Sequence, residues 1–452
     1  MIDLNLELHN ALTAMLSPTR VLSRPIDRIA YASDASYFRL IPQAVVQPDS
    51  VDEVGALFSF SQEHAIPLTF RTAGTSLSGQ SITDGILVDI SKHWRQIRVE
   101  EGGARLRVQP GVVGAYANAI LRPYQRRIGP DPASIDACML GGIIANNSSG
   151  MCCGVQENAY HTLHSLTFIL PNGLVLDSST PDAERKLKGE APEIWQGLLD
   201  LRACLLADEK LRQRVQLRYQ TKNTNGYSLN AFIDYDNPLD MIAHLMVGSE
   251  GTLGYISEVV LNTLPDYQLK YTGMLYFPTV QDAANAILPL RDSGARALEI
   301  MDRAALRSVE HLPGAPSLIA QLPESAAALL AEYQDNRADR FEAFFRASER
   351  ACSKLKLLSE PLFTQDIDEQ AALWKIRKGM FPAIGATRPQ GTSVIIEDVT
   401  FPLHRLAEAI DDLHDLFQKH GYTEAIIFGH AKDGNLHFVI AQSFNTLSEI
   451  ER

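Results

Sequence analysis

The sequence predicts an α+β protein with more than one domain. Candidate strands alternate with amphipathic helical patterns along most of the chain. Stretches rich in glycine, serine and threonine follow several of these strands, and ligands often bind at such strand ends. The length of 452 residues suggests roughly two to four domains. Together these observations favour helices packed on mixed sheets, with loops that bind a ligand.

The composition indicates an ordinary soluble globular protein, with 45% hydrophobic and 21% charged residues. The net charge of −13 argues against a nucleic-acid partner, because binding to phosphates needs excess Lys and Arg. No run of about 18 apolar residues occurs, so we expect no membrane-spanning segment. The first ten residues carry two acids and no basic region, unlike a signal peptide. We therefore expect a cytoplasmic protein, or one peripheral at the inner face of the membrane.

The five cysteines include no C-x-x-C pair, which excludes the usual zinc-knuckle and iron–sulfur ligand patterns from this chain. Their odd number and irregular spacing fit reduced thiols in the cytoplasm. Cys152 and Cys153 are either a redox-active pair or small buried filler, and filler is favoured because free cysteine packs readily in cores.

The first elements are a short strand and a capped helix. Residues 43–47 form an apolar run that ends at a proline. Ser50 is predicted to cap the following helix, and Glu53 would complete a capping box. The inner face of this helix is predicted to carry Val54, Leu57 and Phe58.

Further elements complete the N-terminal half. Strands are predicted at 66–70, 85–90, 105–108 and 257–261. Two other runs, 166–170 and 174–176, flank Asn172-Gly173 and predict a hairpin with a type I′ turn. The charged stretch 178–193 is predicted to be a surface loop.

The C-terminal half begins at about residue 268 and predicts a split α+β unit. A strand at 272–277, a helix after Thr279 and a strand at 297–301 follow one another. Residues 315–357 are predicted to be mainly helical. A last amphipathic helix runs from Pro402 to Gly421.

Three stretches contain more small residues than packing requires. They are RTAGTSLSGQ at 71–80, GPDP at 129–132 continuing to GGIIANNSSG at 141–150, and VGSEGTLGYI at 247–256. Glycine lets the backbone approach a ligand, and successive N–H groups form a concavity for anions. Taken singly, the first could be a surface turn and the last a β-bulge. Taken together, they predict a diphosphate held between backbones.

Two features of the C-terminal half suggest chemistry. Asp433-Gly434 marks a turn between apolar strands, and the hairpin would bring His430 close to His437, which suits Zn or Mn. The alternative is two ordinary histidines, one in the core and one exposed. Arg377 is expected on a helix one turn after Trp374, where it would bind a carboxylate; the alternative is a solvated surface arginine.

The order R-x-x-G-T-S-L-S-G-Q, G-P-D-P, L-G-G-x-x-A-x-N-S-S-G, G-S-E-G-T-L-G resembles the FAD-binding domain of the vanillyl-alcohol-oxidase/PCMH flavoproteins. Within that family it is most similar to the branch of FAD-linked oxidases that contains D-lactate dehydrogenase, glycolate oxidase and D-2-hydroxyglutarate dehydrogenase. The resemblance covers essentially the whole chain. It implies a two-subdomain PCMH-type FAD-binding domain over 1–267, with its core at about 38–267. An α+β, ferredoxin-like cap for the substrate would follow over 268–452.

The resemblance also implies the residues that bind FAD. Noncovalent FAD is expected, because the first glycine-rich loop lacks the histidine that attaches flavin in some relatives. The implied FAD-binding residues are Arg71, Gly74, Thr75, Ser76, Leu77, Ser78, Gly79, Pro130, Asp131, Ser134, Gly141, Gly142, Ala145, Asn146, Ser148, Gly150, Glu250, Gly251, Gly254 and Ile256.

In the cap, H-x-x-D-G-N-x-H is similar to the metal-binding signature of the family. It implies His430 and His437 as metal ligands and catalytic residues, and adds Asn435 to the catalytic set. The W-x-x-R pattern is similar to the arginine that binds the substrate carboxylate, which implies that role for Arg377. Where relatives have a substrate-binding lysine, this chain has Ile396, two residues before Asp398.

A second departure is that no Glu-His dipeptide follows residue 437, although relatives carry one as a further metal ligand and base. Either the chain is a fragment of a longer protein or its metal site is incomplete. A fragment is favoured, because longer relatives continue with the end of the flavin domain and then an iron–sulfur region.

The resemblance implies oxidation of a D-2-hydroxy acid (D-lactate, D-2-hydroxyglutarate or glycolate) to the 2-oxo acid, with hydride transfer to flavin. The electron acceptor would be a quinone, an electron-transfer protein or an iron–sulfur module. A homo-oligomer is also compatible with this expectation. Two alternatives stay open: a metal-free flavin oxidase acting on an alcohol or sugar, and a non-catalytic flavin-carrying subunit or fragment.

Overall fold

The computed structural model describes residues 4–451 and has the mixed helix and sheet architecture that the sequence predicts. The chain forms two compact units, which meet in the sequence between Asp266 and Tyr267. No helix within the described residues is both long enough and apolar enough to cross a membrane.

The N-terminal unit contains helices and strands in irregular alternation. Its helices are α1 (Leu4–Met15), α2 (Pro25–Ala30), α3 (Val51–His64), α4 (Gly114–Leu121), α5 (Leu140–Ala145), α6 (Ala159–Thr162), α7 (Asp182–Glu190), α8 (Pro192–Ala207), α9 (Glu209–Arg218), α10 (Ala231–Asp234) and α11 (Pro238–Met246). Its strands are β1 (Val21–Leu22), β2 (Ala44–Val46), β3 (Leu68–Arg71), β4 (Ile86–Asp89), β5 (Ile97–Glu100), β6 (Arg105–Val108), β7 (Arg126–Arg127), β8 (Leu163–Ile169), β9 (Val175–Asp177), β10 (Tyr255–Asn262) and β11 (Leu264–Pro265).

Two larger sheets organise this unit. One has the strand order β1-β2-β4-β3, in which β4 runs parallel to both β2 and β3. The other has the order β5-β6-β10-β8-β9 and is antiparallel throughout. Strand β10 lies at the centre of the second sheet, and its first residues, where the third glycine-rich stretch ends, pair with the end of β8.

The predicted cap of α3 is confirmed, with one change. The Ser50 hydroxyl accepts a hydrogen bond from the Glu53 amide. The Glu53 carboxylate accepts from the Asp49 amide at 2.9 Å, one residue earlier than a capping box requires. It also pairs with both terminal nitrogens of Arg20, which joins α3 to the segment before β1. The helix ends at Ala65, whose φ is +52°.

Two local predictions in this unit are wrong. Strands β8 and β9 form the expected hairpin, but the turn is not type I′, because Gly173 has positive φ and Asn172 does not. The Gly173 amide donates to the Leu170 carbonyl, as in a three-residue loop with a bulge. The predicted surface loop at 178–193 contains α7, since Ala183 and Leu187 lie one turn apart and are both buried in the core.

The C-terminal unit is built on one antiparallel sheet. Its strands are β12 (Leu269–Phe277), β13 (Ala297–Asp302), β14 (Ala327–Asp335), β15 (Leu362–Thr364), β16 (Thr392–Thr400), β17 (Ile426–His430) and β18 (Asn435–Ser443). Its helices are α12 (Val280–Asp292), α13 (Arg303–Val309), α14 (Ala338–Cys352), α15 (Ile367–Thr387), α16 (Leu406–His420) and α17 (Leu447–Glu451). The strand order is β15-β12-β14-β13-β17-β18-β16.

The prediction of a mainly helical segment at 315–357 is wrong over β14. The run AALLAEYQ has high intrinsic helix propensity, yet it forms an inner strand between β12 and β13. Every residue from Ala327 to Gln334 is buried, because helices cover the sheet. Small and aliphatic side chains fit such a doubly covered strand, so tertiary packing overrides local propensity.

Candidate functional site

In the N-terminal unit, the first and second glycine-rich stretches meet at Thr72. A Cβ placed on Gly141 would lie 3.1 Å from the Thr72 methyl carbon and 2.5 Å from Pro110. A Cβ on Gly142 would lie 3.1 Å from the Thr72 hydroxyl. The glycines at the start of α5 therefore let two loop backbones approach each other closely.

The second and third stretches are joined by backbone hydrogen bonds. The Gly248 amide donates to the Ile144 carbonyl at 3.0 Å, and the Glu250 amide donates to the Ala145 carbonyl at 2.9 Å. The Asn146 side-chain amide donates to the Glu250 carboxylate at 2.8 Å. Burial raises the pKa of Glu250, and the bond from Asn146 opposes that rise. The structure thus brings all three stretches to one place in this unit.

Unusual backbone conformations cluster where these stretches meet. Asn147 and Glu250 have φ values of +52° and +51°, in the left-handed region that residues other than glycine rarely adopt. Gly248 and Gly251, on either side of Ser249-Glu250, have φ values of +88° and +75°. Such strained positions concentrate at ligand-binding sites.

The geometry here fits a bound nucleotide. No group within residues 4–451 accepts a hydrogen bond from the backbone N–H groups of residues 74–77. This run of free donors lies in the loop after β3, and successive backbone N–H groups of this kind suit a phosphate. The Ser249 hydroxyl is buried and has no hydrogen-bond partner among the described residues. A buried polar atom without a partner is expected where a ligand belongs.

Several predicted FAD-binding residues also have structural contacts. Arg71 donates to the carbonyls of Tyr31 and Ser33, at 3.2 and 2.9 Å, so its guanidinium holds the segment between α2 and β2. In the third stretch, a Cβ on Gly254 would lie 2.4 Å from the Ile169 carbonyl, and Ile256 is buried in β10. These two residues allow β10 to pack against β8.

Asp131 anchors the second stretch. Its carboxylate accepts hydrogen bonds from the backbone amides of Cys152 and Cys153, at 2.9 and 3.2 Å. A Cβ on Gly150 would lie only 2.1 Å from the Asp131 carbonyl oxygen, so glycine is required there. Ser134 is exposed on the loop that leads to α5, and its carbonyl accepts from Ala137. Pro130 immediately precedes Asp131. Ser148 lies two residues before Gly150, and its hydroxyl donates to the Asn146 side chain.

In the C-terminal unit, the predicted hairpin is confirmed and brings the two histidines together. Strands β17 and β18 are antiparallel neighbours, and Gly434 closes the turn with φ of +70°. The Nε2 atoms of His430 and His437 lie 3.2 Å apart. Both side chains are mostly buried, 11% and 16% exposed.

Each histidine is held at its other nitrogen by a carboxylate. Nδ1 of His430 lies 2.8 Å from Glu299 on β13, and Nδ1 of His437 lies 3.1 Å from Asp398 on β16. The strand register explains both contacts, because Glu299 is paired directly with His430 and Asp398 with His437. Burial alone would raise the pKa of Glu299, but His430 and Arg377 outweigh it and hold this pKa below its usual value.

The two Nε2 atoms are close enough either to share a hydrogen bond or to bind one cation. A carboxylate accepts hydrogen bonds, so it favours the tautomer of a neutral imidazole that carries its proton on Nδ1. With that tautomer in both rings, the two Nε2 lone pairs face each other, and a proton or a metal ion between them relieves their repulsion. Two nitrogen ligands of one divalent ion, each at about 2.1 Å, would lie roughly 3.0–3.4 Å apart. The observed 3.2 Å falls within that range.

Among the described residues, no group of three or more His, Cys, Asp or Glu side chains is arranged to hold a metal ion. The two imidazoles therefore fit as two ligands of a cation, and the described part of the chain supplies no third of these types.

Arg377 lies on α15, one turn after Trp374, as predicted. It is buried, which contradicts the alternative of a solvated surface arginine. Its Nη2 atom is 2.6 Å from Glu299, and its side chain is only 5% exposed. The guanidinium also stacks over the Phe428 ring at 4.5 Å. Its Nε atom is buried without a hydrogen-bond partner in the described residues. One donor of this arginine is thus available to a ligand.

Asn435 is fully buried at the start of β18. Its side-chain amide donates to the Asp398 carboxylate and to the Val399 carbonyl. Asn435 therefore orients the carboxylate that holds His437, and the chain Asn435–Asp398–His437 crosses from one strand to the next and back.

Sequence reasoning missed two buried glutamates. Glu299 contacts both His430 and Arg377, and Glu332 on β14 accepts from Trp374 and Thr272, each at 2.6 Å. A charged residue inside the apolar runs ALEIMD and AALLAEYQD was the available signal, because buried carboxylates are rare unless they are paired.

The chain thus consists of two units, one in which three glycine-rich stretches converge and one that holds a buried pair of histidines beside a buried arginine. Comparisons with known proteins identify the family. Residues 42–179 match an FAD-binding domain, and residues 268–452 match the C-terminal domain of FAD-linked oxidases. The chain therefore belongs to the FAD-linked oxidases.

Three named relatives are 26–27% identical to this chain over the aligned residues. Glycolate oxidase subunit GlcD of Bacillus subtilis is 27% identical, over 94% of this chain and 78% of the relative. D-2-hydroxyglutarate dehydrogenase of Pantoea ananatis is 26% identical, over 91% of this chain but only 42% of the relative. The mitochondrial D-lactate dehydrogenase (cytochrome) of Arabidopsis thaliana is 26% identical over 91% and 62%.

A solved structure of alkyldihydroxyacetonephosphate synthase superposes with a TM-score of 0.68, covering 98% of this chain and 82% of that one. Its sequence is 16% identical, so the likeness concerns the fold alone.

Proposed function

We propose that this FAD-linked oxidase is a dehydrogenase that oxidises a D-2-hydroxy acid to the 2-oxo acid. The observation that carries the proposal is the histidine pair, with Nε2 atoms 3.2 Å apart and each Nδ1 on a carboxylate. The relatives named for glycolate, D-2-hydroxyglutarate and D-lactate support the substrate class.

FAD would be bound noncovalently by the three glycine-rich stretches of the N-terminal unit. The free N–H donors of residues 74–77 would hold the pyrophosphate, and the buried Ser249 hydroxyl is a further donor for the nucleotide. When bound, FAD supplies the hydride acceptor of the reaction.

A divalent cation, Zn or Mn, would be held by Nε2 of His430 and of His437. The carboxylates of Glu299 and Asp398 lie against the Nδ1 atoms of the two rings, so a cation bound at the Nε2 atoms would face a histidine oriented by a carboxylate on each side. Bound metal ions lower the pKa of a coordinated hydroxyl, which is the chemistry that such an ion would supply to an α-hydroxy acid.

Arg377 would bind the substrate carboxylate. Its buried Nε–H lacks a partner among the described residues, while Nη2 is fixed by Glu299. A guanidinium held along one edge and stacked on Phe428 is oriented in advance, so a carboxylate loses little freedom in binding it. In the overall reaction the substrate gives its hydroxyl proton to a base and its Cα hydrogen, as hydride, to the flavin.

The substrate side chain would carry no second carboxylate. Ile396 lies on β16 two residues before Asp398, so both residues face the same side of the sheet. An aliphatic residue there provides no cation for a distal carboxylate. We therefore place D-lactate and glycolate ahead of D-2-hydroxyglutarate.

The test is anaerobic reduction of the purified, FAD-loaded protein, measured as bleaching of the flavin absorbance. D-lactate, glycolate and D-2-hydroxyglutarate are compared with L-lactate and L-2-hydroxyglutarate. Bleaching by a D-isomer or glycolate, and not by the L-isomers, supports the proposal. A yellow protein that none of these acids bleaches would refute it and leave a flavin-carrying subunit as the better description.

A metal-free flavin oxidase acting on an alcohol or sugar is the second candidate, favoured by the presence of only two convergent ligands in the described residues. The same assay after metal removal separates the two.

For the oxidative half-reaction we propose a quinone, an electron-transfer protein or an iron–sulfur partner, since a relative is named as a subunit.

A further inference from the structure

We propose that Glu299 is a positioning residue shared by the cation site and the carboxylate site, so that one buried carboxylate sets the distance between them. The inference rests on the proposed function, because it concerns how His430 and Arg377 are held for that reaction. Both contacts of Glu299 are present among the described residues, one on each carboxylate oxygen.

The two oxygens of Glu299 have different partners. Oε1 lies 2.8 Å from Nδ1 of His430, on the neighbouring strand β17. Oε2 lies 2.6 Å from Nη2 of Arg377, on helix α15, as an ion pair without hydrogen-bond geometry. Because a carboxylate is a rigid planar group, fixing one oxygen fixes the other. The histidine on the sheet and the arginine on the helix are therefore held at a set separation by a single side chain.

Burial makes this contact costly to break. The Glu299 side chain is completely inaccessible to solvent, and Arg377 is 5% exposed. Removing one partner of a buried ion pair leaves an uncompensated charge, which is strongly unfavourable. The pair thus restricts Arg377 to the orientation in which its face lies on Phe428 and its Nε remains without a partner.

Glu299 also selects the histidine tautomer. A proton on Nδ1 of His430, donated to Oε1, leaves Nε2 as the free acceptor that faces His437. Without an anionic partner, His430 is free to place its proton on Nε2 instead, where it cannot bind a cation. Loss of the carboxylate should therefore weaken cation binding even though Glu299 itself would not touch the ion.

A neighbouring glutamate provides a matched control. Glu332 is also buried, 3% exposed, on the adjacent strand β14, and it holds α15 through Trp374, one turn before Arg377. It contacts neither histidine. Glu299→Gln and Glu332→Gln remove the same charge from the same sheet, and both release a contact to α15. Only the first removes a contact to the histidine pair.

The experiment measures zinc affinity by titration against a chelator, using the full FAD-loaded chain. We expect Glu299→Gln to raise the zinc dissociation constant by about 10–100-fold and Glu332→Gln to change it by less than about twofold. Pyruvate, as the 2-oxo acid probe, should also bind at least about tenfold more weakly to Glu299→Gln, since Arg377 loses its anchor. Equal zinc affinity in folded Glu299→Gln and wild type, or equal losses in both variants, would overturn the inference.

A measurement on the unaltered protein covers the case in which Glu299→Gln does not fold. Nitrogen NMR of histidine-labelled protein should show His430 protonated at Nδ1 with and without zinc. Protonation at Nε2 in the zinc-free protein would overturn the role of Glu299. If wild type binds no zinc, both this inference and the proposed metal-assisted function fail. If wild type binds zinc but Glu299→Gln binds it equally well, only this inference fails.

Discussion

Acid should weaken the N-terminal unit through one buried histidine, His244 on α11. This side chain is satisfied as a neutral ring, with Nδ1 2.8 Å from the Asp240 carbonyl and Nε2 2.8 Å from the Tyr235 hydroxyl. The ring also stacks on Tyr235, with centroids 4.0 Å apart. Burial, only partly opposed by the bond to Asp240, lowers the pKa of His244 to about 4.

The sign and size of the effect follow from proton linkage. The unfolded chain binds a proton at the usual histidine pKa of about 6.5, whereas the folded protein binds it only near pH 4. The free energy of unfolding is therefore unaffected by His244 above pH 6.5 and falls as the pH drops from 6.5 to about 4. At about 1.4 kcal/mol per pH unit, the loss reaches roughly 3 kcal/mol. His244 is only 8% exposed, so solvent screening reduces this figure little.

The measurement compares wild type with His244→Gln in urea unfolding at pH 7, 6, 5 and 4. Glutamine can bond to the same two partners but does not titrate, so the stability difference between the proteins isolates the histidine from other acid effects. The advantage of wild type over the variant should shrink by about 3 kcal/mol between pH 7 and pH 4. A difference that stays constant over this range would refute the reasoning. Tyr235→Phe removes the hydroxyl that donates to Nε2. It should therefore make protonation of folded His244 easier and reduce the dependence of the free energy of unfolding on pH.

Three further predictions concern the two sites. Gly150→Ala places a Cβ about 2 Å from the Asp131 carbonyl and should cost about 1–3 kcal/mol of stability and weaken FAD binding in a fluorescence titration. Gly55→Ala, where no atom lies within 4 Å of the new Cβ, should leave FAD affinity unchanged. Ile396→Lys adds a cation on the face of Asp398 and should raise kcat/KM for D-2-hydroxyglutarate relative to D-lactate by at least about tenfold; an unchanged ratio would contradict the assigned face. Removing metal with a chelator should slow flavin reduction at least about tenfold, and Zn or Mn should restore it; full activity in protein shown to be metal-free would favour the metal-free oxidase.

Features set by local spacing could be predicted from the sequence. The cap at Ser50, the buried stripe of α3 and the turn at Gly434 depend on residues within one helical turn or one tight turn of each other. The hairpin that brings His430 to His437 is of this kind, because its two strands are joined directly. The glycine-rich loops could also be recognised from local sequence, but only the fold shows that they converge.

Features set by the order of strands in the sheet could not be predicted. Glu299 and His430 are 131 residues apart in sequence and lie opposite each other because β13 pairs with β17. Asp398 meets His437 in the same way, through β16 and β18. The alanines and leucines of the β14 segment favour a helix locally, but pairing with β12 and β13 and burial on both faces make it a strand.

The W-x-x-R spacing illustrates why a motif has both a structural and a functional reading. Trp374 bonds to Glu332 on β14, and Arg377 pairs with Glu299 on the adjacent strand β13. Three residues of helix rise about 4.5 Å, close to the roughly 4.8 Å between neighbouring strands. The spacing therefore lets one helix contact buried carboxylates on two successive strands, whatever ligand is bound. An unsatisfied buried Nε does not by itself distinguish Arg377 from a structural arginine, since Arg303 has one too. What distinguishes Arg377 is that its carboxylate partner Glu299 also contacts His430, so this arginine and the histidine pair are held by one side chain.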